Sequence, residues 1–233
     1  MAALRTIPRD YLILAGLTVI FAILPAFTNN FQLSLLISTL YWAYLGTAWN
    51  IMGGYAGQFS FGHASFFGIG AYTSTVLFVN YDITPWVGIF IGAGFGAIFG
   101  AFMGFLTFRF GVKGHFFALA TFAFAEMLRL IAQDWEFIGA SIGLTLPIIG
   151  GDDWGVLLFE DSPINYYWLI LGMLVVGTII SIYVYRSKLG YYLQAVREDE
   201  DAAAALGVNV LRYKIFAVAI SAALTAAKPR SQA

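Results

Sequence analysis

The polar side chains best placed for chemistry lie in one glycine-rich stretch, GGYAGQFSFGHASFFGIGAY, at residues 53–72 between two apolar runs. Six of its twenty residues are glycine, which tolerates broken or left-handed backbone. Two interpretations stay open: an irregular helix inside a membrane, covered by protein or water, or a turn over residues 53–58 followed by an ordinary packed helix. The residues predicted to line a path for a solute are Gly54, Gly57, Gln58, Ser60, His63 and Tyr72.

A second polar pair, Glu126 and Arg129 in FAFAEMLRL, falls three residues apart on one face of a predicted helix. An ion pair inside a membrane is a candidate functional site. Pairing between the two side chains, or snorkelling of their charged ends to the interface, explains it slightly better. His63 alone is better explained as a hydrogen-bonded interior residue than as a proton relay.

Residue types that carry catalysis are scarce in this sequence. Its 233 residues include no cysteine and two histidines, which excludes thiol nucleophiles and leaves too few ligands for a convincing metal cluster. No predicted span contains a G-x-S-x-G turn, and no G-x-x-x-x-G-K-[ST] loop for nucleotides occurs. We therefore predict no enzymatic activity, no metal and no cofactor of its own.

The composition places these residues in a membrane. Hydrophobic residues make up 60% of the chain, charged residues 11%, and the mean hydropathy is +0.80. A soluble domain averages about 45–50% apolar and about 25% charged residues, so this chain has too little polar surface for water. The net charge of −1 indicates no nucleic-acid partner. The first apolar run lacks an A-x-A-like cleavage site, so we interpret it as a retained helix.

The hydropathy pattern predicts an all-α, polytopic integral membrane bundle with six to seven transmembrane helices. The whole chain, residues 1–233, is expected to form one membrane domain, because the connectors between long spans are short. Most spans approach the roughly 20 residues that a helix needs to cross a bilayer. The predicted spans are residues 11–27, 31–52, 59–79, 83–107, 115–132 and 164–185, with a shorter run at 215–227.

Lysine and arginine predict the orientation, because these residues stay cytoplasmic in short loops. With six crossings, basic residues at the N-terminus, near residues 109–113 and over residues 186–214 all fall on one side, and residues 133–163 on the other. The N-terminus is therefore predicted to be cytoplasmic. Residues 186–214 are predicted to form a cytoplasmic loop and residues 133–163 an external one.

One predicted helix carries glycine at every fourth position, in TPWVGIFIGAGFGAIFGAFMGFLTF. Spacing of four places these glycines along one stripe, where missing side chains let another helix approach closely. We favour this packing role over a pore-lining one. The stripe consists of Gly88, Gly92, Gly96, Gly100 and Gly104.

The cytoplasmic segment SKLGYYLQAVREDEDAAAALGVNVLRYK reads as a short helix. Acidic residues 198–201 suit the positive N-terminal end, the following alanines favour helix, and Gly207 can supply a left-handed stop. A helix lying on lipid would show a cationic face with large apolar residues opposite. The acidic, alanine-rich face instead predicts contact with a protein partner.

The glycine-rich stretch, KGHFFALATFAFAEMLRLI and RSKLGYYLQAVREDEDAAAALGVNVLRYKIFAVAISAAL together resemble the LivM-type permease subunits of branched-chain amino acid ABC importers, up to about Leu224. This resemblance implies a second homologous permease subunit, two cytoplasmic ATPase subunits that bind the ATP, and an external protein that delivers Leu, Ile or Val. It implies a bacterial inner membrane and an EDEDAAAALG helix that docks on the ATPase. The coupling residues are then Arg197, Glu198, Asp199, Glu200, Ala203 and Gly207.

Two departures from this family stand out. After the fifth span the chain has FIGASIGLTLP, whereas the family usually shows Thr-Gly-Gly, an acidic residue and glycine. The chain also stops at TAAKPRSQA, whereas the family continues with further helices. We expect this length of chain alone to be an incomplete translocation unit. A permease for urea or another small polar solute shares the glycine-rich motif, although REDEDAAAALGVN favours amino acids. An ion-coupled secondary transporter would depend on Glu126, Arg129 and His63.

Overall fold

The computed structural model describes residues 9–140, 142–144, 155, 157, 159 and 163–227. Helix is the dominant element of this part of the chain, which contains no β-strand. Short 3₁₀ turns follow the first and fifth helices. The α-helices are α1 (Arg9–Ile23), α2 (Asn30–Asn50), α3 (His63–Tyr81), α4 (Pro85–Arg109), α5 (His115–Asp134), α6 (Ile164–Arg186), α7 (Lys188–Glu198), α8 (Glu200–Ala205) and α9 (Val210–Ala226).

The predicted all-α membrane bundle is confirmed. Four segments are long and apolar enough to cross a bilayer, namely Arg9–Phe27, Pro85–Arg109, His115–Asp134 and Ile164–Arg186. Helices α2 and α3 reach 21 and 19 residues with a more polar composition, and α9 has 17 residues. α9 begins at Val210, five residues before the predicted span, so that Arg212 and Lys214 of the predicted loop lie in its first turns.

Helix α9 lies at the centre of one half of the bundle, against the glycine stripe of α4. A Cβ atom added to Gly96 would lie 2.5 Å from the Cβ of Ala226, and one on Gly100 would lie 2.6 Å from the Cβ of Ala222. Gly92 meets the backbone of Gly70 in α3 in the same way. All five glycines of the stripe are buried. The stripe therefore brings α3, α4 and α9 to backbone contact.

Helices α1, α2 and α6 form the other half. Leu33 and Leu40 of α2 pack against Tyr167, Ile170 and Leu171 of α6 in one buried cluster. The Tyr167 hydroxyl donates to the carbonyl of Phe21, 2.5 Å away, at the end of α1. An ion pair between Asp10 and Arg186 joins the opposite ends of α1 and α6.

The glycine-rich stretch is a break between α2 and α3. Residues Ile51–Tyr55 form a π-helical turn, and residues 56–62 contain no helix. Ala56, Gln58 and Ser60 are buried, whereas the three residues alternating with them at 57, 59 and 61 are exposed. The predicted helix start at residue 59 is wrong, because α3 begins at His63.

Most of the predicted external loop lies outside the described residues. Its first two residues, 133 and 134, belong to α5, and a 3₁₀ turn follows over Glu136–Ile138. The departure from the family pattern at residues 137–147 is only partly described, since residues 141 and 145–147 fall outside the described ranges.

Candidate functional site

Helices α7 and α8 present the predicted coupling residues on a framework of local caps. Asp199 caps α8, its Oδ1 accepting from the backbone N–H of Asp201 at 2.9 Å and of Ala202 at 3.0 Å. Gly207, with φ of +86°, provides the left-handed residue after α8. Asn209 then caps α9 by accepting from the backbone N–H of Arg212 at 3.0 Å. The acidic and glycine signals of the sequence thus shape a tight helix–turn–helix.

Glu200 points inward and joins α8 to two other elements. Its carboxylate pairs with Lys214 of α9 and lies 3.3 Å from the Nζ of Lys113, in the turn between α4 and α5. The Lys214 side chain is only 3% exposed, and its Nζ lies 5.0 Å from the centroid of the Phe108 ring. This network was not predicted from the sequence. Lys214 lies 14 positions from Glu200 and was considered only as one of the basic residues that indicate the cytoplasmic side.

The charges of this network shift the ionisation of its members. Burial raises the pKa of the Glu200 carboxyl, but the hydrogen bonds and charges of Lys214 and Lys113 outweigh burial and hold that pKa below its usual range. The Glu200 carboxylate in turn raises the pKa of the exposed Lys113 ammonium. At neutral pH the Glu200 carboxylate is therefore ionised, and its contacts with Lys214 and Lys113 join α8 to the bundle.

The opposite face of α8 is open. The Asp201 side chain is 94% exposed and Leu206 is 86% exposed, whereas Ala203 is buried. Arg197, Glu198, Asp199 and Gly207 are exposed as well. Of the six predicted coupling residues, Glu200 and Ala203 therefore hold α8 against the bundle, and the other four lie at the surface. We call residues 201, 202, 205 and 206, all exposed, the outer face of α8.

Arg197 connects α7 to the glycine-rich break. Its Nη1 donates to the carbonyl of Gly54 at 2.6 Å. A Cβ atom added to Gly57, which has φ of +66°, would lie 2.9 Å from the Cγ of Arg197. The Tyr55 hydroxyl lies 2.8 Å from the hydroxyl of Ser181 in α6, which anchors the break on its other side. Two sites predicted separately from the sequence are thus in direct contact.

His63 belongs to a buried hydrogen-bonded chain. Its Nε2 lies 2.9 Å from the hydroxyl of Ser221 in α9, and that hydroxyl donates to the carbonyl of Ala48 at 2.7 Å. Since the Ser221 hydrogen is used, the Nε2 of His63 is the donor to it. The Nδ1 atom is buried and has no partner among the described residues. This placement matches the interior residue expected from the sequence.

Gln58 and Ser60 also turn into the protein. The Gln58 amide donates to the carbonyl of Ala56 at 3.1 Å, and the Ser60 hydroxyl accepts from the backbone N–H of Gly62 at 3.1 Å. Trp49 donates to the Ser60 carbonyl at 3.3 Å. These groups support the break and its junction with α3.

An open groove of about 1240 Å³ runs between α3, α4 and α5. Of the six predicted pathway residues, Tyr72 is the one on its wall. Its lining is mostly apolar and aromatic, and among the described residues Glu126 and Arg129 are its charged members. The Arg129 Nε lies 2.9 Å from the Oε2 of Glu126, and Nη2 lies 2.5 Å from Oε1. The sequence predicted this pair but not its position on a groove.

Metal binding has no support in the described part of the chain, where no group of three or more histidine, aspartate and glutamate side chains has the spacing to hold an ion. The charged clusters found there are the ion pairs described above. The candidate site thus has three parts: the exposed outer face of α8, the glycine-rich break that contacts α7, and the groove between α3, α4 and α5.

Comparison with known proteins gives a consistent result. Residues 31–227 match the family model described as branched-chain amino acid transport system / permease component. The chain is 28% identical to the high-affinity branched-chain amino acid transport system permease protein LivM of Salmonella typhimurium, over 92% of this chain and 55% of that protein. LivM of Escherichia coli gives the same identity and coverage.

A probable ABC transporter permease protein of Sinorhizobium fredii is 33% identical over 58% of this chain and 38% of its own length. No solved structure matches the chain. The chain spans about half the length, 55%, of the two LivM proteins. The family match covers most of the bundle, from α2 to α9. The chain therefore belongs to the permease components of branched-chain amino acid transport systems.

Proposed function

We propose that this chain forms the membrane-spanning part of an ABC importer that carries leucine, isoleucine or valine across a bacterial inner membrane, with its N-terminus in the cytoplasm. A second homologous permease subunit completes the pathway, an external binding protein delivers the solute, and two cytoplasmic ATPase subunits bind and hydrolyse ATP. The sequence has no phosphate-binding P-loop of its own, which supports a separate ATPase.

The observation that carries this proposal is the division of α8 into two faces. Glu200 and Ala203 fasten it to the bundle, while Asp201 and Leu206 are almost fully exposed. An exposed leucine beside exposed carboxylates on a short, capped helix fits a docking surface for a protein better than a surface for lipid. We assign this outer face as the ATPase contact.

Two connections link this face to the membrane. Glu200 binds Lys214, at the start of α9, and α9 packs along the glycine stripe of α4. Arg197 binds the Gly54 carbonyl in the break that precedes α3. A push on α7 and α8 therefore reaches helices α9 and α3, which share backbone contacts with α4. Rigid-body movement of such packed helices is an established way to alternate a site between two sides.

The experiment is recovery of an ATPase with the tagged permease. Leu206→Glu places a charge on the outer face of α8 without touching the buried pair, and we expect loss of copurifying ATPase activity and of ATP-dependent leucine uptake. Phe110→Glu is the matched control, because Phe110 is 79% exposed just after α4 and lies outside α7 and α8. If both variants bind the ATPase as well as the unaltered protein, the assignment is wrong.

A further inference from the structure

We propose that Glu126 and Arg129, with the aromatic walls of the groove between α3, α4 and α5, bind a zwitterionic amino acid that has an apolar side chain. This proposal rests on the proposed function only for the class of solute. It assigns to a specific pair of charges the recognition of the main-chain groups of that solute.

The depth of the pair in α5 supports this proposal. Glu126 and Arg129 lie in α5, which runs from His115 to Asp134 and is long and apolar enough to cross a bilayer. At about 1.5 Å per residue the two side chains start about 17 and 21 Å from the beginning of the helix. Charged residues inside a membrane face a protein interior or a water-filled cavity. The groove that both line is the cavity at this position.

Glu126 and Arg129 also keep unused hydrogen-bonding capacity. The pair is bidentate, with the Arg129 Nε 2.9 Å from the Oε2 of Glu126. These contacts use two of the five N–H donors of a guanidinium and two of about four acceptor positions of a carboxylate. The Arg129 and Glu126 side chains keep 53% and 43% of their surface exposed. Donors and acceptors are therefore available side by side.

The charges of the pair complement those of a zwitterionic solute. The pair has no net charge, so it does not attract a simple anion or cation strongly, but it offers a cationic and an anionic group three residues apart. A solute with one carboxylate and one ammonium group satisfies both at once: its carboxylate binds Arg129 and its ammonium group binds Glu126. Phe95, Phe99 and Phe122 on the groove walls supply apolar surface for its side chain.

The test uses the absence of cysteine from the chain. Tyr72→Cys places a single thiol on the groove wall, and its labelling in membranes that contain the assembled transporter reports occupancy. L-Leucine is expected to slow labelling. Leucinamide, which lacks the carboxylate, and 4-methylpentanoate, which lacks the amine, are expected to need at least about tenfold higher concentration, the effect of losing one hydrogen-bonded charge. Equal protection by all three compounds would overturn the proposal.

Substitutions then separate binding from structural pairing. Glu126→Gln and Arg129→Gln, each in the Tyr72→Cys background, should raise the leucine concentration for half-protection at least about tenfold. Asp10→Asn is the control, since the Asp10–Arg186 pair has similar exposure, 44% and 43%, away from the groove. The exchange E126R/R129E restores a pair within α5 but reverses its order, so it should not restore protection. Recovery of protection by this exchange would show that an ion pair of either order within α5 is sufficient. The pair would then have only a structural role, and the proposed binding site would be wrong.

The result is distinguishable from failure of the proposed function. If leucine protects the thiol of the Tyr72→Cys variant but no ATPase copurifies and uptake does not need ATP, the ABC assignment fails and the site stands. If ATP-driven leucine uptake is normal while leucine gives no protection, or while both single substitutions leave uptake unchanged, the site is wrong and the ABC assignment stands.

Discussion

Replacement of Glu200 by glutamine tests whether the buried ion pair holds α8 on the bundle. The change keeps the size of the side chain and removes its charge, which leaves Lys214, 3% exposed, without the carboxylate that pairs with it. Removing one partner of a buried pair costs about 3–5 kcal/mol. The Glu200 side chain is 20% exposed and glutamine still accepts a hydrogen bond, so we expect about 2 kcal/mol for α8.

The assay is amide hydrogen exchange in residues 201–206, because these amides report local opening of α8. About 2 kcal/mol corresponds to an exchange rate about thirtyfold faster, since about 1.4 kcal/mol is a factor of ten. Asp201→Asn is the control: its carboxylate lies 3.6 Å from Lys113 but is 94% exposed, so its loss should cost less than about 1 kcal/mol.

A double substitution completes this test. In Glu200→Gln with Lys214→Met, no buried charge is left without its partner, so α8 should be more protected than in Glu200→Gln alone. The buried ion pair does not hold α8 on the bundle if Glu200→Gln exchanges like the unaltered protein, if Asp201→Asn has an equal effect, or if the double variant gives no recovery.

Other expected outcomes address acid sensitivity, helix packing and coupling. The Glu200 pKa is held below its ordinary value of 4.5, so the stabilisation of α8 by the ionised carboxylate is complete above pH 4.5 and is lost as pH falls through the lower folded pKa. After correction for intrinsic exchange rates, α8 in the unaltered protein and in Glu200→Gln should exchange at the same rate below that folded pKa. A constant difference between the two rates at all pH values contradicts this. Gly100→Leu should lower the thermal midpoint by overpacking against Ala222, about 1–3 kcal/mol, whereas Gly94→Leu, with open space around its Cβ position, should not. Arg197→Gln should leave the ATPase bound but reduce leucine uptake per ATP hydrolysed, because the bond to Gly54 is lost; unchanged coupling rules that link out.

Regular patterns were readable from the sequence. Glycine at every fourth position can only fall on one side of a helix, and the structure places those five residues, from Gly88 to Gly104, against α3 and α9. The long apolar runs predicted the helical membrane bundle, because a helix needs roughly 20 apolar residues to cross a bilayer. The cluster of glycines around residue 57 predicted irregular backbone, although it did not reveal that the helix resumes only at His63.

Long-range contacts were not readable. Nothing in the order of residues places Arg197 on Gly54, 143 positions earlier, or shows that Glu200 faces Lys214 while its neighbour Asp201 faces outward. A six-residue helix is too short for a hydrophobic period to mark its inner face. For this reason the sequence grouped Glu200 with the exposed coupling residues, whereas the structure separates it from them.

Cross-linking from the outer face of α8 tests the central claim most directly. Leu206→Cys provides a single thiol at a position that is 86% exposed, and a short cross-linker in inside-out membrane vesicles should join it to a subunit that hydrolyses ATP. Phe27→Cys, 82% exposed in the 3₁₀ turn that follows α1, should give no such product. We expect a product that forms with the Leu206→Cys variant alone. Labelling of that variant's thiol only from the external side of the membrane, or the absence of any ATPase product, would contradict it.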